Sequence, residues 1–276
     1  MANCSFCGKP AGFFRKKHKE CQATHDEGWS RMLALAAESA LGETPLEALE
    51  PRLQEFAKSS FIRTSRTTEA IIAGWERAVD HFLDDGELDE SEEEHLANFQ
   101  SHFSLTQDQL DHRGAYSRLV KGAILREIMN GSVPERVHVQ GDIPFKFQKT
   151  EKLIWLFPET GYYEDRKRRE FVGGSHGVSF RIAKGVHYRV GSFRGHPVET
   201  TETVFVGTGL MGVTDRHVYF SGGGKSFRIK HDKIVTIEPY SDGVGIQRDA
   251  QTAKPQLFIT GDGWFTYNLL MNVSNV

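Results

Sequence analysis

Gly207-Thr208-Gly209-Leu210-Met211-Gly212-Val213-Thr214-Asp215-Arg216-His217-Val218-Tyr219-Phe220 is the stretch on which the reading of the fold turns. Its first six residues match the dinucleotide-binding pattern GxGxxG letter for letter. That pattern works only when a helix follows, because the helix N-terminus holds the pyrophosphate. Here Val213 to Phe220 follows, a β-branched and aromatic run that predicts a strand. Gly224-Lys225-Ser226 likewise imitates the end of a P-loop, yet Tyr219 stands where the leading glycine belongs and a strand pattern comes next. Both glycine motifs therefore read as hairpin turns, and nucleotide binding is set aside.

Outward from this stretch the pattern stays β-like. After Pro134 the composition turns glycine-rich and β-branched, which marks a domain boundary. Alternation recurs in Val178-Ser179-Phe180-Arg181-Ile182 and in Phe227-Arg228-Ile229, with turn signals at Gly173-Gly174, Gly222-Gly223-Gly224 and Ser241-Asp242-Gly243. The expectation is a mostly antiparallel sheet. The run Gly209, Leu210, Val213, Thr214, Val218 to Phe220, then Phe227-Arg228-Ile229, Asp232-Lys233-Ile234 and Asp242 to Ile246, is similar to GRAM and bacterial pleckstrin-homology-like domains. The resemblance covers Gly207 to Val276, and strands from Phe145 onward complete the same sheet in this reading. It implies a terminal helix plugging the sheet, for which Trp264, Phe265, Leu269, Leu270 and Val273 are the candidates, and binding of a lipid headgroup, a peptide or a protein subunit. Arg166-Lys167-Arg168-Arg169, with Lys225, Arg228 and Lys230, are the candidate anion-binding residues of this half.

Between Asp26 and Gly131 the period is helical. Trp29, Met32, Leu33, Ala36 and Ala40 recur at three and four; Leu46, Leu49, Leu53 and Phe56 do the same behind Thr44-Pro45-Leu46-Glu47, which reads as a capping box. A third stripe carries Ile71, Ile72, Trp75, Val79 and Phe82, and a fourth carries Leu96, Phe99 and Phe103 after an acidic start at Asp89. Thr106 and Gln109 open a last helix ending at Gly131. Asp85-Gly86, Leu88 and Glu92 copy the second half of an EF-hand loop, but His81 and Leu83 occupy its leading ligand positions, so Ca²⁺ is not expected there. The segment from Thr67 to Gly131 resembles the tellurite-resistance TerB-like helical domains, which implies a bacterial stress or defence setting.

The N-terminus carries the chemistry. All three cysteines fall among the first 21 residues, and with no apolar leader in MANCSFCGKP the expected location is the reducing cytoplasm, where such a cluster signals metal. Cys4-Ser5-Phe6-Cys7-Gly8 makes a two-thiol knuckle, with Gly8 free to take positive φ. His18-Lys19-Glu20-Cys21 adds two ligands one helical turn apart. Cys4, Cys7, His18 and Cys21 then hold one structural Zn²⁺, with His25 in place of His18 as the open alternative. The module resembles a treble-clef or zinc-ribbon finger. Arg15, Lys16 and Lys17 beside it are candidate anion-binding residues.

The expected fold class is therefore α+β and multidomain: a zinc finger over 1–25, a helical domain over 26–133, and a β-rich pleckstrin-homology/GRAM-like domain over 134–276 with a C-terminal helix. With 38% hydrophobic residues the chain buries ordinary cores, no apolar run is long enough to span a membrane, and a net charge of -3 excludes an overall basic nucleic-acid binder. No catalytic residues are assigned. Ser175 with His176, and Asp215 with His217, lack the glycines and third member of a hydrolase site. The function expected is a non-enzymatic zinc-binding adaptor or regulator with a protein or anionic-lipid partner; the alternative is a nucleic-acid-binding accessory protein using the basic finger.

Overall fold

The computed structural model describes every residue except 1, 13–14, 85–87, 172–179, 184–185, 189–196 and 251–252; for 166–171, 180–183, 186–188, 197–201 and 275 it describes the backbone alone. The chain forms two compact units, Met1–Arg136 and Val137–Val276, of α+β class.

Unit 1 is a helical bundle of α1 Lys19–Ala40, α2 Leu46–Ser59, α3 Thr67–Phe82, α4 Glu90–His102, α5 Gln107–Leu110 and α6 Ala115–Met129. The predicted stripes supply its core: Met32, Leu49, Leu53, Trp75, Leu96 and Phe99 are fully buried. Trp75 satisfies its indole by donating Nε1–H to the Leu96 carbonyl at 3.1 Å. Helices α1 and α3 approach closely at Gly74, where a Cβ would lie 2.4 Å from the Ala36 Cβ. Two starts differ from expectation. Pro45, with ψ of 136°, takes the N-cap place of α2, leaving Thr44 one residue too early to cap it. The helix opened by Thr106 and Gln109 does have its capping box, but it ends after one turn as α5, and α6 begins afresh behind Gly114 at φ +73°. Asp111 holds that break by accepting from the Ser117 amide and hydroxyl. Glu92 is engaged in a capping box with Asp89, while Asp85 lies outside the described residues.

Unit 2 contains β1 Leu153–Phe171, β2 Phe180–Ala183, β3 Val186–Tyr188, β4 Pro197–Thr214, β5 His217–Gly222, β6 Lys225–Lys230, β7 Ile234–Pro239, β8 Gly243–Arg248, β9 Gln256–Ile259 and α7 Gly263–Asn272. Seven strands form one antiparallel sheet in the order β6-β5-β4-β1-β9-β8-β7; β2 and β3 pair separately. The run Val213 to Phe220, expected as one strand, is a hairpin: β4 ends at Thr214 and β5 begins at His217. The Thr214 hydroxyl makes the turn by accepting from the Arg216 and His217 amides at 3.2 and 2.9 Å. Gly207 to Gly212, expected as a turn, runs within β4. Its glycines answer to crowding between backbones: a Cβ on Gly209 would lie 2.3 Å from the Ser221 carbonyl oxygen. Gly223 and Gly224 do form the β5–β6 turn, both at positive φ.

Tyr162, Phe220, Phe227 and Phe258 pack as one aromatic cluster on the inner face of the sheet. Helix α7 covers the β7–β8 end with Phe265, Leu269 and Leu270 buried and Phe265 5.2 Å from Trp155. Trp264, expected on the packed side, is 58% exposed, because one residue along a helix turns the side chain by about 100°. The residues before β1 form no strand, yet Phe145 is buried against Tyr219.

Candidate metal centre

The first thiol pair sits on a turn built by the backbone. The Gly8 amide donates to the Cys4 carbonyl at 2.9 Å, the Cys4 amide donates to Lys9, and Asn3 bridges Pro10. Gly8 takes φ +72°, the conformation its place in the knuckle predicted. The second pair lies at the start of α1: His18 is the N-cap and Cys21 sits in the first turn. The Ser5 amide donates to the Lys16 carbonyl and so ties the two halves together.

The ligand atoms of Cys4, Cys7, His18 and Cys21 all lie within 4.8 Å of one another. His18 Nδ1 stands 3.3 Å from Cys7 Sγ and 3.6 Å from Cys21 Sγ. Ligand-to-ligand edges around a tetrahedral zinc, with arms of about 2.3 Å to sulfur and 2.0 Å to nitrogen, come to about 3.5–3.8 Å, so the set fits one ion. The outer contacts agree. His18 Nε2–H donates to the Pro10 carbonyl at 3.0 Å, which fixes the tautomer and leaves the Nδ1 lone pair aimed at the thiols. The His18 amide donates to Cys4 Sγ at 3.4 Å. His25 points elsewhere, with Nδ1 3.1 Å from Asp26 Oδ1 and its ring 4.9 Å from Phe6.

Electrostatics separate the thiols. Burial opposes ionisation of Cys4, but amides of Cys7, His18 and Phe6 pointing at its sulfur outweigh that and bring it down to about 6. Cys21 is pushed up to about 11 by burial, by hydrogen bonding to the other two cysteines and by their negative charge. Three thiolates repel one another at this range, and a divalent cation among them reverses the sign of that interaction.

The basic candidates fall in both units. Arg15, Lys16 and Lys17 are exposed, and Lys17 lies 4.7 Å over the Phe6 ring while donating to Gln22. Arg166, Lys167, Arg168 and Arg169 lie in register with Glu202, Thr201, Thr200 and Glu199 of β4; their side chains lie outside the described residues. Lys225 forms an ion pair with Glu164 of β1, and Arg228 and Lys230 are exposed on β6.

Asp215 and His217 do not meet. Asp215 accepts from the Lys152 amide at 2.9 Å, whereas His217 Nδ1 lies 2.8 Å from Glu151, a residue that spacing did not reveal. Glu151 also accepts from the Thr214 hydroxyl, the Gln148 amide and the Tyr219 hydroxyl, at 2.5, 2.7 and 2.8 Å. Burial alone would raise this carboxyl; these four donors hold it down at about 2. With side-chain exposures of 0% for Glu151 and 2% for His217, the pair is a sealed clamp between the approach to β1 and the β4–β5 hairpin. Ser175 and His176 lie outside the described residues.

No known protein family model matches the chain, and no curated protein matches it in sequence.

Proposed function

We propose that this chain is a non-catalytic zinc-binding adaptor, in which Cys4, Cys7, His18 and Cys21 hold one structural Zn²⁺ and the sheet unit receives a partner. The observation that carries the reading is the closed Cys₃His set: four donor atoms within 4.8 Å, one of them a histidine whose other nitrogen is already committed to Pro10. Four protein ligands leave no position for water or substrate, which is the pattern of structural rather than catalytic zinc. The sealing of His217 and Glu151 away from solvent supports the non-catalytic part. The likeness of unit 2 to pleckstrin-homology-like and GRAM domains rests on its strand motifs, and the antiparallel sheet ending in α7 is compatible with it. No helix of the described residues is long and apolar enough to cross a membrane, so contact with anionic lipid would be peripheral.

The test is metal content by mass spectrometry on protein purified without chelator. One zinc per chain is expected for wild type and for His25→Ala, and a loss for Cys7→Ser and His18→Ala. No zinc in the wild type overturns the reading; zinc retained in His18→Ala but lost in His25→Ala moves the fourth ligand.

A further inference from the structure

The outer face of the sheet carries a groove of about 360 Å³ that the zinc site does not explain. Strand register builds it. Tyr163 of β1 is paired with Leu257 of β9, Leu257 with Gly245 of β8, and Gly245 with Glu238 of β7, so these four stand in one row across neighbouring strands. Phe205 of β4 extends the row, 5.0 Å from Tyr163 and 53% exposed. Where the row needs a side chain to be continuous, it has Gly245.

A glycine in the middle of a strand weakens the strand, and its recurrent use is to let another group approach the backbone. Gly245 has that environment. A Cβ there would meet Tyr240 Cε2 at 3.3 Å and Glu238 Cβ at 3.5 Å, so any side chain would fill the gap they enclose. Tyr240 is 47% exposed and donates to Glu238 Oε2, which places an aromatic ring and a carboxylate on one wall. On the β1 side Asp165 lines the groove and accepts from the Thr203 hydroxyl at 2.7 Å. Among the described residues neither Asp165 nor Glu238 forms an ion pair, and no lysine, arginine or histidine side chain lines the groove.

A backbone floor, tyrosine walls and two carboxylates with no cation beside them among the described side chains fit a flat, delocalised cation better than any neutral or anionic group. The geometry points to this groove as the docking site for an arginine side chain presented by a protein partner, the guanidinium seated over Gly245 between Tyr163 and Tyr240 and neutralised by Asp165 and Glu238. Guanidinium is weakly hydrated, stacks on aromatic rings and offers five donors to carboxylates, whereas an ammonium ion matches only the charge. This rests on reading the sheet unit as the partner-binding part of an adaptor, and names the chemistry that part selects.

The experiment is a titration of zinc-loaded full-length protein with Nα-acetyl-arginine amide, followed by amide NMR shifts, beside its neutral isostere Nα-acetyl-citrulline amide. Saturable shifts confined to the neighbourhood of Tyr163, Tyr240, Gly245 and Leu257 are expected, with citrulline at least tenfold weaker. Gly245→Val, which fills the floor and leaves the charges, and Asp165→Asn with Glu238→Gln, which keeps the shape and removes them, should each abolish the effect; the second variant answers the question if the first does not fold. Equal binding of citrulline, shifts spread over all acidic surfaces, shifts here with inorganic phosphate instead, or no shifts would each overturn the assignment. A natural partner bound equally well by wild type and both variants would leave the adaptor reading standing and sink the groove.

Discussion

Replacing Glu151 by Gln should cost unit 2 about 3 kcal/mol at pH 7, and that cost should shrink as the solution is acidified. The folded chain holds the carboxyl at about 2 against an ordinary 4.5, so its ionised form contributes about 2.5 × 1.36, or about 3 kcal/mol. Because the folded value is the depressed one, this stabilisation is complete above about pH 4.5 and is lost as pH falls toward 2; at pH 3 less than half remains, by the same linkage. Glutamine keeps the volume but turns an NH₂ toward two of the four donors that converge here. Each donor left buried without an acceptor costs about 1–3 kcal/mol, which agrees with the titration argument. The assay is urea unfolding of the full chain read by pulsed hydrogen exchange on peptides from β4 and β5, so that unit 1 does not contribute. A midpoint unchanged by Glu151→Gln at pH 7, or a difference as large at pH 2.5 as at pH 7, would refute the reasoning.

Gly209→Ala should destabilise unit 2 by about 1–3 kcal/mol in the same assay, since its Cβ meets backbone atoms of β5 that cannot swing aside. Phe265→Ala should cost about 3–5 kcal/mol and Trp264→Ser less than about 0.5, a contrast between adjacent residues that thermal denaturation will resolve. The structural reading of the finger expects no binding of DNA or RNA that weakens with salt; binding of that kind, lost on Arg15→Glu, Lys16→Glu and Lys17→Glu, would favour the nucleic-acid alternative.

What was legible in the sequence was local. The candidate metal ligands sit between residues 4 and 21, so a knuckle and one helical turn bring them together without help from the rest of the chain. Helical stripes such as Ile71, Trp75 and Val79 were legible because a 3.6-residue period leaves its mark within one element. The clamp at Glu151 was not, since His217 is 66 residues away and only the pairing of β1 with β4 makes them neighbours. The glycines between Gly207 and Gly212 misled for a related reason: their lettering suggests a turn, whereas their cause is the backbone of β5 lying against them. The break between α5 and α6 depends on Ser117 donating back to the Asp111 carboxylate, a bond that capping signals at Thr106 do not announce.

Helix α1 begins inside the candidate metal centre and ends in the bundle, passing through residue 25 without interruption. Seen as an order of events, a metal bound at this candidate centre would be a starter for folding. Closing the first turn of a helix is the improbable step, with a nucleation constant of about 10⁻³, equivalent to about 4 kcal/mol. Coordination by His18 and Cys21 would fix that turn, and all four candidate ligands lie at or before the first turn of α1, so ion capture would need nothing that is synthesised later. A chain growing from its N-terminus could then extend α1 from an existing turn, presenting Met32 and Leu35 already aligned when α2 and α3 arrive.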